Sequence, residues 1–150
     1  MSQQLKKASS HDVYISYSVR DRVIADALCR YLEENNIRCW FAPRDILSGQ
    51  VYAEVIRRAI SEAKIFVIVC SHNSLDSEFV QKETAFAVSE GKIIVPCRIE
   101  DYPLTGAMRT YLNDVRWIDA FPQPEQHFDF LAETVSGFLE NTSSSSPEKP

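Results

Sequence analysis

Ile65-Phe66-Val67-Ile68-Val69-Cys70 is apolar at every position. A strand with one wet face alternates apolar and polar residues, and this one does not. It reads as the central strand of a parallel sheet covered on both faces. On its N-terminal side, Tyr52, Val55, Ile56, Ala59, Ile60 and Ala63 recur at helical spacing. On its C-terminal side, a polar loop over 71–77 leads to a helix over 78–90, which Gly91 stops. The fold is therefore written as strand and helix in alternation, starting from its middle.

The same pattern extends outward. Val13 to Tyr17 is β-branched and aromatic, a first strand. Ile24, Ala27, Leu28, Tyr31 and Leu32 mark the first helix, with Ser18 and Asp21 spaced as a capping box and Asn35-Asn36 as its end. Ile37 to Phe41 is a second strand, followed by a loop over 42–50. Lys92 to Cys97 is the fourth strand, followed by a longer loop with Pro103 and Gly106. Val115 to Asp119 is the fifth strand, and Phe128, Leu131, Val135 and Phe138 mark a last helix. This order predicts an α/β, flavodoxin-like three-layer sandwich with a five-stranded parallel sheet of order 2-1-3-4-5. Residues 1–10 read as a loose N-terminal segment, 11–141 as the domain, and 142–150 as a disordered Ser/Pro-rich tail.

Net charge is −5, with a pI near 5.2. Nucleic acid and anionic membranes call for a basic surface, so neither is expected as a partner. No apolar run has the length of a membrane span, and the first twelve residues lack the apolar core of a signal peptide. A cytoplasmic location is expected. Cys29, Cys39, Cys70 and Cys97 each sit in an apolar segment without C-x-x-C spacing, so they read as reduced, buried thiols with no metal. His11, His72 and His127 form no ligand cluster, although His72 falls at a strand end.

Ligands of such sheets bind beyond the C-terminal strand ends, near the switch between strands one and three. The loops at 16–21, 42–50, 71–78 and 97–106 therefore matter most. They hold no G-x-G-x-x-G, no G-x-x-x-x-G-K-[ST] and no G-x-S-x-G, which removes dinucleotide Rossmann, P-loop and hydrolase-elbow chemistry. Strand one ends in Ser16-Tyr17-Ser18 and strand three in Cys70-Ser71, without the acidic residues of a response regulator.

Three segments stand out in order: DVYISYSVRD (12–21), IRCWFAPRDILSGQ (37–50) and SEFVQKETAFAVSEGKIIVP (77–96). Together they resemble a TIR domain of the bacterial type, over residues 11 to about 121. Many such domains cleave the nicotinamide–ribose bond of NAD⁺, and others act only as adaptors through TIR–TIR contacts. The resemblance implies an NAD⁺ glycohydrolase or cyclase in antiphage defence signalling, with NAD⁺ as substrate and no cofactor. It implies Glu83 as the catalytic residue. Without the resemblance, a helical glutamate reads as a solvated surface charge. One carboxylate is chemically adequate, because nicotinamide leaves NAD⁺ as a neutral molecule and only the developing oxocarbenium charge needs stabilising.

Phe79 stands four residues before Glu83, on the same helical face, where the enzymes usually carry tryptophan. Ser16, Tyr17, Ser18, Arg20, Arg44 and Asp45 are candidate substrate contacts. Pro43, Arg44, Asp45 and Ile46 match the family's self-assembly loop, although Arg44 and Asp45 also read as an exposed ion pair. Trp40 reads as core. A related-fold alternative is an enzyme like the nucleoside deoxyribosyltransferases, with a glutamate nucleophile.

Overall fold

The computed structural model describes residues 11–46 and 49–145. The loose segment expected at 1–10 lies outside them, as do Leu47, Ser48 and residues 146–150 of the expected tail. Five strands form one parallel sheet among the described residues: β1 (Val13–Ser16), β2 (Cys39–Trp40), β3 (Ile65–Cys70), β4 (Ile93–Arg98) and β5 (Ile118–Asp119). Their order is β2-β1-β3-β4-β5, the expected topology. β3 is buried at all six positions, as its unbroken apolar run requires.

Helices cover both faces. α1 (Arg22–Glu34) and α6 (Phe128–Ser145) pack on one, against Val13, Ile15, Val67 and Val95. α2 (Tyr52–Glu62), α4 (Glu78–Ser89) and α5 (Gly106–Leu112) pack on the other, against Tyr14, Phe66, Ile68 and Ile94. The odd and even residues of β1 thus serve opposite cores, as the pleat dictates. All four cysteines are buried free thiols. No helix among the described residues is long and apolar enough to cross a membrane.

Several boundaries differ from the sequence reading. Strand five is shorter, starting at Ile118 instead of Val115. The loop after β3 contains a one-turn helix, α3 (His72–Leu75), and the loop after β4 contains α5. Ser18 caps a 3₁₀ turn over Val19–Asp21 by accepting from the Arg20 amide, and α1 begins only at Arg22. Asp21 caps nothing with its side chain. It accepts instead from Ser71 Oγ at 2.5 Å and from Asn73 Nδ2 at 3.1 Å. The reciprocal capping box belongs to Ser71 and Ser74. α6 continues through Ser145, past the point where the tail was expected to begin.

Candidate active site

Tyr14 and Ser16 follow the pleat onto the same face of β1, toward α4. Glu83 meets them there. Its Oε2 accepts from Tyr14 Oη at 2.6 Å and its Oε1 from Ser16 Oγ at 2.7 Å. Glu83 is only 6% exposed, so it is no solvated surface charge. Burial pushes its pKa up to about 7, and the two hydroxyl donors oppose that rise. Tyr14, buried beside the carboxyl, is held well above the usual phenol range, which keeps it a donor.

Stacking fixes the Tyr14 ring. Trp40, Tyr14 and Phe66 are neighbours in register across β2, β1 and β3. The centroids of Trp40 and Phe66 lie 5.3 and 5.6 Å from that of Tyr14, with planes within 9° and 2° of parallel. Trp40 is buried, as expected of a core residue, and its place in this ladder aims a hydroxyl at Glu83.

Glu83 lies at the edge of a cavity of about 440 Å³ at the C-terminal end of β1. Tyr14, Tyr17, Ser18, Pro43, Tyr52 and Phe79 also line it, with Arg22 and Ser77. Phe79 is 49% exposed, and its ring lies 6.5 Å from that of Tyr52. The Tyr17 hydroxyl donates to the Ala42 carbonyl, tying the 42–46 segment to β1. Asp21, through Ser71 and Asn73, ties the 3₁₀ turn to α3.

The sequence-predicted residues divide into two groups. Tyr17, Ser18, Pro43, Phe79 and Glu83 line the cavity, and Ser16 supports Glu83. Arg20, Arg44, Asp45 and Ile46 are not among the lining residues. Arg44 faces α1 instead: it donates a two-pronged pair to Glu33 at 3.0 and 2.9 Å, reaches the Cys39 carbonyl, and pairs with Asp45. Asp45 in turn accepts from the Phe41 amide at 2.9 Å, closing the turn. His72 pairs with Glu100. Ligand-capable atoms of Cys29, Glu33 and Cys39 lie within 4.8 Å of one another, but the Arg44 guanidinium occupies that cluster, which disfavours a cation there.

Sequence reasoning missed Tyr14, Arg22 and Tyr52. Tyr14 reads as an ordinary strand aromatic. Only its two-residue spacing from Ser16 signals a shared face. Tyr52 reads as part of an apolar helix stripe, and it stands on the first turn of that helix.

Residues 13–132 match the family model described as TIR domain. Among solved structures, the TIR domain of the Toll-related receptor TRR-2 from Hydra magnipapillata aligns with a TM-score of 0.71 at 22% identity, covering 85% of this chain and 99% of that one. A metazoan TIR-STING receptor from C. gigas in complex with 2′,3′-cGAMP aligns at 0.70 and 25% identity, over 83% of this chain and 39% of the receptor. A CMP N-glycosidase from Clostridium botulinum aligns at 0.58 and 17% identity, covering 79% and 97% respectively. No curated protein sequence matches the chain significantly.

Proposed function

This chain belongs to the TIR domain family, and from that premise we propose that it is a nucleosidase cleaving the nicotinamide–ribose bond of NAD⁺. The observation that carries the reading is Glu83: a buried carboxyl at the edge of an open cavity, gripped at both oxygens by hydroxyls of β1. A carboxyl removed from water without an arginine or lysine partner costs stability. The Tyr14 and Ser16 hydroxyls offset part of that cost, and a carboxyl held in a cleft despite the rest points to chemistry. Each carboxylate oxygen retains lone-pair capacity after accepting one hydrogen bond, so Glu83 can also accept from ribose hydroxyls.

The bond from ribose C1′ to the nicotinamide nitrogen breaks, and the nitrogen keeps the electron pair. Positive charge develops on the ribose beside the buried carboxylate. A water oxygen then bonds to C1′, and its proton passes to Glu83 or solvent. If a group of the substrate attacks instead, the product is a cyclic isomer of ADP-ribose. The cationic substrate favours the ionised form of Glu83, completing ionisation that is half achieved near pH 7.

The aromatic mouth supports the same reading. Tyr52 and Phe79 offer half-exposed rings for a base to stack on. Self-association through the 42–46 segment, with a role in defence signalling, is part of the proposal. On that view specific activity rises with protein concentration.

The test is incubation of concentrated protein with NAD⁺, with chromatographic separation of nicotinamide and ADP-ribose products. Release by the wild type and none by Glu83→Gln is expected. Undiminished release by Glu83→Gln overturns the site. Absence of release at every protein concentration leaves the adaptor role.

A further inference from the structure

Glu83 also lines a second cavity, on the other side of Phe79. It has a volume of about 200 Å³, lies between α2 and α4, and is walled by Ile56, Ile60, Phe79 and Phe86. Two cations stand at its rim, Lys82 and Arg57, and the Arg57 guanidinium lies 5.5 Å from the Phe86 ring centroid. Both are exposed. Among the described residues neither makes an ion pair, although the chain as a whole carries excess acid. An apolar slot between two rings, rimmed by unpaired cations on an acidic protein, suits a flat aromatic group that bears negative charge.

We propose that this slot holds the purine and diphosphate end of the substrate, so that a dinucleotide lies across Phe79 with its scissile ribose beside Glu83. This rests on the nucleosidase reading and adds to it where the other end of the dinucleotide is held and by which cations. The two cavities share Phe79 and Glu83, so one extended molecule reaches both. The cations of the slot attract a diphosphate and repel the positively charged nicotinamide ring of NAD⁺. The nicotinamide is thereby directed to the larger cavity and the diphosphate to the slot.

The intact chain is titrated with ADP and, separately, with inorganic pyrophosphate as a charge-only probe, followed by calorimetry or amide NMR. ADP is expected to bind more tightly than pyrophosphate, because the slot takes the purine. The double variant Arg57→Ala/Lys82→Ala is expected to weaken ADP binding by about tenfold or more. Both side chains are exposed, and a melting curve confirms that the variant folds. An ADP affinity unchanged in the double variant, or equal for the two probes, overturns the proposal. ADP binding requires no bond cleavage, so the two readings fail separately. Cation-dependent ADP binding by a chain that releases no nicotinamide keeps the slot and sinks NAD⁺ cleavage. Nicotinamide release with ADP affinity indifferent to both cations does the reverse.

Discussion

Tyr14 donates a 2.6 Å hydrogen bond to Glu83 across 69 residues of sequence, joining the first strand to the fourth helix at the edge of the cavity. Tyr14 is held by stacking and Glu83 by burial, so neither group adjusts freely. The bond is a fixed point around which charge on Glu83 is regulated.

Glu83→Gln should stabilise the fold at neutral and alkaline pH. The folded-state pKa of about 7 lies above the ordinary carboxyl value of 4.5. The folded protein therefore holds a proton that the unfolded chain has already lost, and stability falls as pH rises through that window. Above pH 7 the burden is on the order of 3 kcal/mol. Thermal melts from pH 5 to 8 should show the variant gaining on wild type as pH rises, then levelling. A pH-independent difference would contradict a buried, neutralised Glu83.

Under the proposed function, kcat/KM for nicotinamide release should rise with pH through a limb near 7, reporting ionisation of Glu83 in the free protein. The Tyr14 and Ser16 hydroxyls hold the pKa down. Tyr14→Phe and Ser16→Ala should therefore move the limb to higher pH. Each should also lower stability, by roughly 1–3 kcal/mol. A limb that stays in place in both variants would show that another group controls the profile.

Phe79 separates binding from folding. Its ring is half exposed, so Phe79→Ala should leave the melting temperature nearly unchanged, within about 0.5 kcal/mol. KM should rise several-fold for lack of a stacking surface, and Phe79→Trp should lower it. Equal steady-state constants for all three proteins would remove Phe79 from the site.

Arg44→Ala should cost roughly 1–2 kcal/mol, because its two-pronged pair with Glu33 and its pair with Asp45 form a partly exposed network that also holds the Cys39 carbonyl. If the 42–46 segment mediates assembly, the variant's specific activity should need more protein to reach the wild-type level. Activity plotted against concentration checks this, and superimposable curves would confine Arg44 to a local brace.

Topology was legible because β3 has no polar position and because helical stripes flank it on both sides. α5 was not, since Pro103 and Gly106 mark a loop while Met108 and Leu112 are too few to establish a period. Glu83 was legible only through family motifs. Its burial depends on hydroxyls far away in sequence, which no local pattern encodes. The sequence reading puts the capping box after β1 and not after β3, because Ser18 and Asp21 have the right spacing. Spacing does not reveal that Asp21 is drawn across the switch point by Ser71 and Asn73.

The pleat of β1 gives this molecule a built-in proofreader. Tyr14 pairs with Phe66 and Ser16 with Ile68 in the sheet, while Val13 and Ile15 face away. A one-residue slip that put Val13 and Ile15 in the places of Tyr14 and Ser16 would exchange both hydroxyls for aliphatic side chains, leaving Glu83 ungripped. Under the proposed function, misassembled copies would be inert instead of weakly active, so activity would wait on a correctly laid sheet.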